Sequence, residues 1–478
     1  MTRLEDPLEI GGVEIPNRLY RAPVLECAGN GPGAVSTLVQ DLEPAAASGV
    51  GLLCQGATIV RGEGGCAAPG MTRVHDPAFV SRLSRLTDRI HDHGSRIFVQ
   101  LEHGGLRSME TWHAGYRRAN PDLEQLAVSP LPWQLRALDG VGLLSYDPHV
   151  MTTEEVYELA AEFGRAAANC VTAGYDGIHL AGANMGIVQQ FLSPFYNRRS
   201  DEFGGSPEAR LEFLAVVHDE IRDRAGEVPL ITKVPAETPA PPWPVVRRRL
   251  TRADGVEIAA RLERIGFDAV VPVETSVAWD MSIVRGRYPK RAWRNEALRA
   301  EYDEAFGGPV RRRLVALGNR LESLIYDFEP AWNEAFCRQV RERVSIPVLA
   351  EGGIRERGQM DRLLGAEPRR VEPGGDASSE RAPACDMVGM ARPFYAEPRL
   401  GARLLADGSS ERGPAGEASD GTRPPNDDRR PGPETRVLCE NCNNCTIPQV
   451  TGAPGICRTP SVLRERGDLD RAGAYDRE

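Results

Sequence analysis

Residues 439–457 read CENCNNCTIPQVTGAPGIC, placing cysteines at 439, 442, 445 and 457. Thiolates bind soft metals, and their spacing limits which metal centre they can build. A four-cysteine zinc site normally draws on two separated Cys-x2-Cys pairs. Here three cysteines crowd together and the fourth stands apart. That pattern suits the corners of a [4Fe–4S] cubane, as in ferredoxins. Gly452 and Gly455 in the connecting loop, with Pro460 beyond it, fit a tight wrap whose backbone N–H groups face the sulfides. Cys439, Cys442, Cys445 and Cys457 are therefore the candidate metal ligands, with a structural zinc or unmetallated thiols as alternatives. Cys27, Cys54, Cys66, Cys170, Cys337 and Cys385 are scattered and read as ordinary thiols.

A second group of residues has glycine-rich surroundings. QLEHGG presents Gln100 and His103, Lys233 closes PLITK, EGGI holds Gly353, and GMARPF holds Arg392. Backbone N–H groups of glycine turns beside a guanidinium can hold a phosphate. Tight turns closing a fold are the plain alternative.

Such residues need elements to position them. Short apolar runs recur at 18–24, 51–57, 96–101, 176–182, 229–234, 268–273, 346–353 and 386–391. Longer amphipathic stretches separate them, such as 77–94 and 152–174, the latter with Thr152 or Thr153 to cap it and Gly174 to end it. Eight strands, each followed by a helix or long connection, predict an α/β fold, a (β/α)8 TIM barrel with a C-terminal cysteine-rich segment. A doubly wound sheet would usually carry GxGxxG after its first strand, and APVLECAGNGPG does not spell it. The glycine turns then fall where barrel enzymes work, at the C-terminal ends of the strands.

The expected organisation is a barrel over 1–405, a flexible linker over 406–435 and a cysteine-rich segment over 436–478. The linker is rich in Gly, Pro, Ser and charge and cannot bury enough surface to order itself. Residues 366–382 read as a solvated loop. Residues 276–325, rich in arginine and aromatics, read as an insert that acts as a lid or a partner surface.

The chain has 478 residues and a net charge of −10, which argues against a nucleic-acid partner. The N-terminus MTRLEDPLEIGG has no apolar h-region, and no apolar run is long enough to span a bilayer. The expectation is a cytoplasmic protein without membrane contact, where cysteines stay reduced and bind metal rather than pair.

The motifs NRLYRAPV (17–24), QLEHGG (100–105), QFLSPFYNRRSDEFGGSPEAR (190–210), IPVLAEGGI (346–354) and DMVGMARPFYAEP (386–398) resemble the old yellow enzyme family of FMN-dependent oxidoreductases. The 190–210 block is the most specific, and the resemblance spans roughly residues 5–400. The C-terminal cysteines resemble the branch with 2,4-dienoyl-CoA reductase and trimethylamine dehydrogenase, where a [4Fe–4S] cluster lies close to FMN. By this resemblance, the backbone of Ala22, Pro23 and Val24 would run along the flavin ring. Ala57 and Gln100 would meet its polar edge. Lys233 would place a cation beside N1 and O2 where the family usually has arginine, and Gly353, Met390, Ala391 and Arg392 would hold the phosphate.

The substrate side departs from that pattern. The family reads His-Gly-Ala-His/Asn-Gly-Tyr after strand four; this chain reads AGANMG (181–186). Ala181 replaces the first histidine, Asn184 keeps the second position, and Gly186 replaces the tyrosine that often donates a proton. Leu25 replaces the usual Thr or Cys. Asn184, His179 and His103 are the candidate catalytic residues, although a packed core role is preferred for His179 and a structural role at the turn for His103. Glu274 is a candidate base or an ordinary turn-capping acid.

The related multidomain enzymes continue into dinucleotide-binding domains, whereas this sequence ends 21 residues after Cys457. The expected electron source is NAD(P)H acting directly or a separate electron-transfer protein. The expected substrate is a small unsaturated, carbonyl or amine compound, and a homo-oligomer is compatible with the sequence. An FMN-only NAD(P)H:enone reductase with structural zinc, a non-catalytic flavoprotein subunit and a flavin-free phosphate-binding barrel are the competing readings.

Overall fold

The computed structural model describes residues 2–140, 145–238, 246–278, 280–366, 382–406 and 435–476. Its centre is an eight-stranded parallel sheet. The strands are β1 (Leu19–Arg21), β2 (Leu52–Ile59), β3 (Arg96–Glu102), β4 (Gly177–Leu180), β5 (Leu230–Thr238), β6 (Ala269–Ser276), β7 (Leu349–Ala350) and β8 (Met387–Met390). Neighbours run β6-β5-β4-β3-β2-β1-β8-β7. A parallel bridge between Val270 and Val348, with Val270 N–H donating to Pro347 O at 3.1 Å, joins the two ends. The sheet is thus a closed (β/α)8 barrel, and every strand falls within or beside the run expected for it.

Sequence explains the layering. Parallel strands covered on both faces need nearly continuous apolar runs, and β6 is buried along its whole length. One set of side chains fills the barrel interior, including Leu52, Phe98, Ile231, Val271, Leu349 and Met387. The opposite set meets the surrounding helices, among them α1 (Ala34–Ala47), α2 (Ser84–His91), α3 (Thr153–Thr172), α4 (Glu212–Ala225) and α5 (Arg252–Ile265). Thr152 caps α3 in a reciprocal box with Glu155, and Gly174 beyond it has φ +92°.

A hairpin of Leu8–Ile10 and Val13–Ile15 packs Ile10 and Ile15 into the interior cluster. Its turn, Gly11–Gly12, has positive φ at both positions. A Cβ at Gly11 would lie 2.9 Å from the Pro229 backbone, so only glycine fits this close approach.

The 276–325 insert is largely helical and ends in α6 (Pro309–Ile325). Its Trp293, Tyr302 and Phe306 cluster with Val450 of the cysteine segment. Its Met281, Ser282, Ile283 and Val284 face the barrel mouth. The expected loop at 366–382 and linker at 406–435 fall almost wholly outside the described residues.

The cysteine segment is packed onto the barrel. Leu438 N–H donates to the buried Glu397 carboxylate at 2.6 Å, and Gln449 Nε2 donates to Leu25 O at 2.7 Å. Among the described residues, no helix is long and apolar enough to cross a membrane.

Candidate active site

A cavity of about 330 Å³ opens at the C-terminal mouth of the barrel. That is within the usual size range for a small-molecule site. Of the residues singled out in the sequence, Pro23, Val24, Asn184, Lys233, Gly353, Met390, Ala391 and Arg392 line it. Ala22 is buried beneath, its N–H donating to Met390 O at 2.9 Å, and Ala57 packs in a separate small cluster.

Gln100 and the two candidate histidines lie off the cavity wall. Gln100 stands opposite His179 in the β3–β4 ladder, and its Nε2 lies 2.9 Å from His179 Nδ1. Burial, reinforced by the Lys233 charge, pushes the His179 pKa well below its ordinary value, so the ring is neutral. His103 is also buried, and its Nδ1 accepts the Gly105 N–H at 3.1 Å. Burial, with Arg61 and Arg73 nearby, pushes its pKa down to about 3. Both rings are thus neutral, and His179 Nε2 is buried without a partner among the described residues. Glu274 is ion-paired with Arg252 and, at 3.1 Å, with Arg285.

Lys233 donates to Glu351 Oε2 at 2.8 Å, and the other oxygen of that carboxylate accepts from Tyr20 OH. The cation expected beside the flavin thus has a buried counter-charge, 118 residues away in sequence. Arg392 donates its guanidinium to Val284 O at 3.1 Å, Arg285 O at 3.2 Å and the Asn443 side chain. It ties β8 to the insert and the cysteine loop, leaving its backbone as the part free to face a phosphate.

Several buried polar atoms of cavity residues have no protein partner: Arg107 Nε, Asn184 Oδ1, Asp280 Oδ2, Trp332 Nε1 and Asn441 Nδ2. Buried donors and acceptors are rarely left unmet, so this set fits a cavity built around a polar ligand such as a flavin and its substrate. Arg107, Glu351, Trp332 and Asn441 were not singled out in the sequence. Arg107 lies two residues after QLEHGG and Glu351 opens EGGI, so both stood beside motifs already marked.

The four C-terminal cysteines line a second, small cavity. Asn441 and Asn443 stand between them with φ +51° and +56°, a left-handed conformation asparagine tolerates. Burial pushes the Cys445 thiol up to about 12 while the Arg392 charge pulls it down. Asn444 Nδ2 donates to Cys442 Sγ at 3.3 Å, and Thr459 Oγ1 lies 3.0 Å from the same sulfur. Among the described residues, no three His, Cys, Asp or Glu side chains converge on a single-ion site. Arg392, Tyr395, Asn441 and Asn443 line both cavities.

Glu322 lies on α6. Burial and the nearby Asp280 raise its pKa from 4.5 to about 7. The folded state therefore holds this proton more tightly than the unfolded chain does. The resulting destabilisation is absent below pH ~4.5 and complete above pH ~7. Glu322→Gln is expected to add ~2 kcal/mol of stability at pH 8 and almost none at pH 4.5. Urea titrations at the two pH values read the difference; an equal gain at both would remove the charge explanation.

A closed barrel with a lysine, glycine turns and unmet polar groups around its mouth is that of a cofactor-holding barrel enzyme. This chain belongs to the NADH:flavin oxidoreductase / NADH oxidase family, whose model matches residues 3–245. It is 33% identical over 238 residues to the cinnamate reductase of Clostridium sporogenes, covering 47% of this chain and 32% of that protein. It is 30% identical over 285 residues to the NADPH dehydrogenase of a Geobacillus species, covering 58% and 76%. Its fold matches that of a 2-naphthoyl-CoA reductase with a TM-score of 0.65 and 17% identity, over 97% of this chain and 58% of the other. The chain thus spans about a third of the cinnamate reductase it matches and over half of the naphthoyl-CoA reductase.

Proposed function

We propose that this chain is an FMN-dependent oxidoreductase that passes electrons between NAD(P)H, or a separate carrier protein, and a small unsaturated or carbonyl substrate, with a [4Fe–4S] cluster beside the flavin. The observation that carries the reading is the shared wall. All four cysteines line one cavity, and Arg392, Tyr395, Asn441 and Asn443 separate it from the large cavity at the barrel mouth. A metal centre there would lie one layer of side chains from a flavin. Cys439, Cys442, Cys445 and Cys457 would hold it. Three closely spaced cysteines with a distant fourth favour a polynuclear cluster over one zinc ion.

A bound flavin supplies two-electron exchange with the organic substrate, and a cluster accepts or delivers electrons singly. The protein's own residues do the rest. Pro23 and Val24 offer backbone and apolar surface to the ring. Lys233, held by Glu351, places a positive charge on the cavity floor. Asn184, in a left-handed conformation at φ +78°, presents its amide to a substrate oxygen. With Ala181 and Gly186 where the family has histidine and tyrosine, the proton for a reduced carbon comes from water or another side chain. The names cinnamate reductase and NADPH dehydrogenase support reduction of an activated alkene as the working direction. The amine alternative rests on a structural likeness to histamine dehydrogenase at 21% identity.

The test is anaerobic purification followed by a visible spectrum and analysis for iron, sulfide and zinc. A flavin spectrum on a broad iron–sulfur shoulder, with about four irons per chain, is expected. Zinc without iron would reduce the reading to a flavin enzyme with a structural staple. A colourless protein would overturn it.

A further inference from the structure

We propose that Arg107 is the substrate's anion-binding residue, and that the substrate is a carboxylate carried on an apolar body of about aromatic size. This rests on reading the mouth cavity as the substrate site.

Arg107 closes the short turn Gly105–Arg107 after β3 and lines the cavity together with Asn184 and Met185. One side of its guanidinium is fixed: Nη1 donates to Asn184 O at 2.9 Å and lies 3.4 Å from Glu102 Oε1. The other side has no protein partner among the described residues. Nε is buried and has no partner, and Nη2 meets no acceptor among the described residues. Nε and Nη2 are the two parallel donors that grip a carboxylate side-on. Leaving such donors buried and unmet costs free energy, which a ligand anion would recover.

The neighbouring backbone is held in an unusual conformation around this edge. Asn184 and Met185 have φ +78° and +62°. Gln189 accepts the Met185 N–H at 2.6 Å, and Gln190 donates to Met185 O at 2.6 Å. Two glutamines thus pin a left-handed pair that places the Asn184 carbonyl against Arg107. Strain of this kind persists where the surroundings enforce it and gathers at ligand sites. Asn184 Oδ1 is likewise buried without a partner.

Arg107 and Lys233, two cations of the cavity wall, each already have a carboxylate partner. Glu102 is buried and partners Arg107, while Lys233 is matched by Glu351. Glu102 therefore anchors the inner side of the guanidinium and leaves its outer side for a ligand. A neutral ketone needs only a hydrogen bond, which an imidazole or amide can give; a fixed guanidinium fork is selective for an anion. Trp112, Trp293, Phe306 and Trp332 line the same cavity and supply apolar faces for the remainder of the molecule.

Quenching of tryptophan fluorescence reads binding here without turnover, because three of those residues are tryptophans. The probes are 3-phenylpropanoate and its neutral amide, titrated into the protein as isolated. The acid is expected to bind at least ~10-fold more tightly than the amide. Arg107→Gln is expected to weaken the acid by ~10- to 100-fold and leave the amide within ~3-fold. Arg107→Lys should keep part of the preference. Equal affinity for acid and amide in the unaltered protein would overturn the assignment, as would unchanged acid affinity in the glutamine variant. If Arg107→Gln fails to fold, the unaltered protein's acid-to-amide ratio and the lysine variant decide. The spectrum decides the flavin reading separately: a colourless protein that still prefers the acid would refute that reading and keep this one.

Discussion

Cys445→Ser is expected to abolish cluster assembly and to cut electron transfer to a one-electron acceptor by more than ~100-fold, since loss of one cubane ligand removes the centre. Cys445 is the clearest position to test. The half-buried residue lines the small cavity, and desolvation pushes its thiol up to about 12 against the pull of Arg392, so binding a metal there means displacing a proton. Iron should fall from about four per chain to well under one. Flavin content should change little, because the flavin's expected contacts come from the barrel strands. Cys27→Ala, outside that cavity, should keep its iron. Metal uptake should also depend on pH, weakening as acid restores the thiol protons. Full iron in Cys445→Ser, or zinc in the unaltered protein, would end the cluster proposal.

The barrel was legible because parallel strands are written as short, nearly continuous apolar runs, and eight of them recur between amphipathic stretches. β7 shows the limit. The run 346–353 is eight residues long, yet only Leu349–Ala350 pair as strand before Gly352 and Gly353 turn left-handed. The hairpin at 8–15 is written only as Gly11–Gly12 between two three-residue alternating runs, a turn signal with strands too short to stand out. At the site, glycine turns and the lone strand lysine marked the mouth correctly, because fold topology places them there. What sequence could not supply was partnership. Whether His179 faces a ligand or Gln100 depends on the β3–β4 register. Whether Lys233 stands free or paired depends on Glu351 arriving from β7. Arg392 reads as a phosphate ligand until the insert and the cysteine loop bring carbonyls and Asn443 to its guanidinium. Nothing in the sequence joins Arg107 to Asn184, 77 residues away, whose carbonyl its guanidinium meets.

The Lys233–Glu351 pair makes the other large prediction. The side chains are 5% and 13% exposed, so removing one partner strands a charge. Lys233→Met is expected to cost ~3–5 kcal/mol of stability, much of it the burden of an unpaired Glu351. Lys233→Met combined with Glu351→Gln should recover most of that loss, since the carboxylate charge goes with the lysine, and a double-mutant cycle gives the coupling. The flavin should separate the two single variants by sign. A cation near the ring favours the added negative charge of reduction, and Glu351 offsets it. Lys233→Met should therefore make a bound flavin harder to reduce, while Glu351→Gln, which frees the lysine charge, should make it easier. Tyr20 OH can still donate to the glutamine oxygen, so this variant leaves the Tyr20 contact in place. Urea unfolding and redox titration against a dye of known potential measure the two effects independently. Potential shifts of the same sign in both variants would mean that the pair does not govern the electrostatics of the ring, even if the stability coupling were found in full.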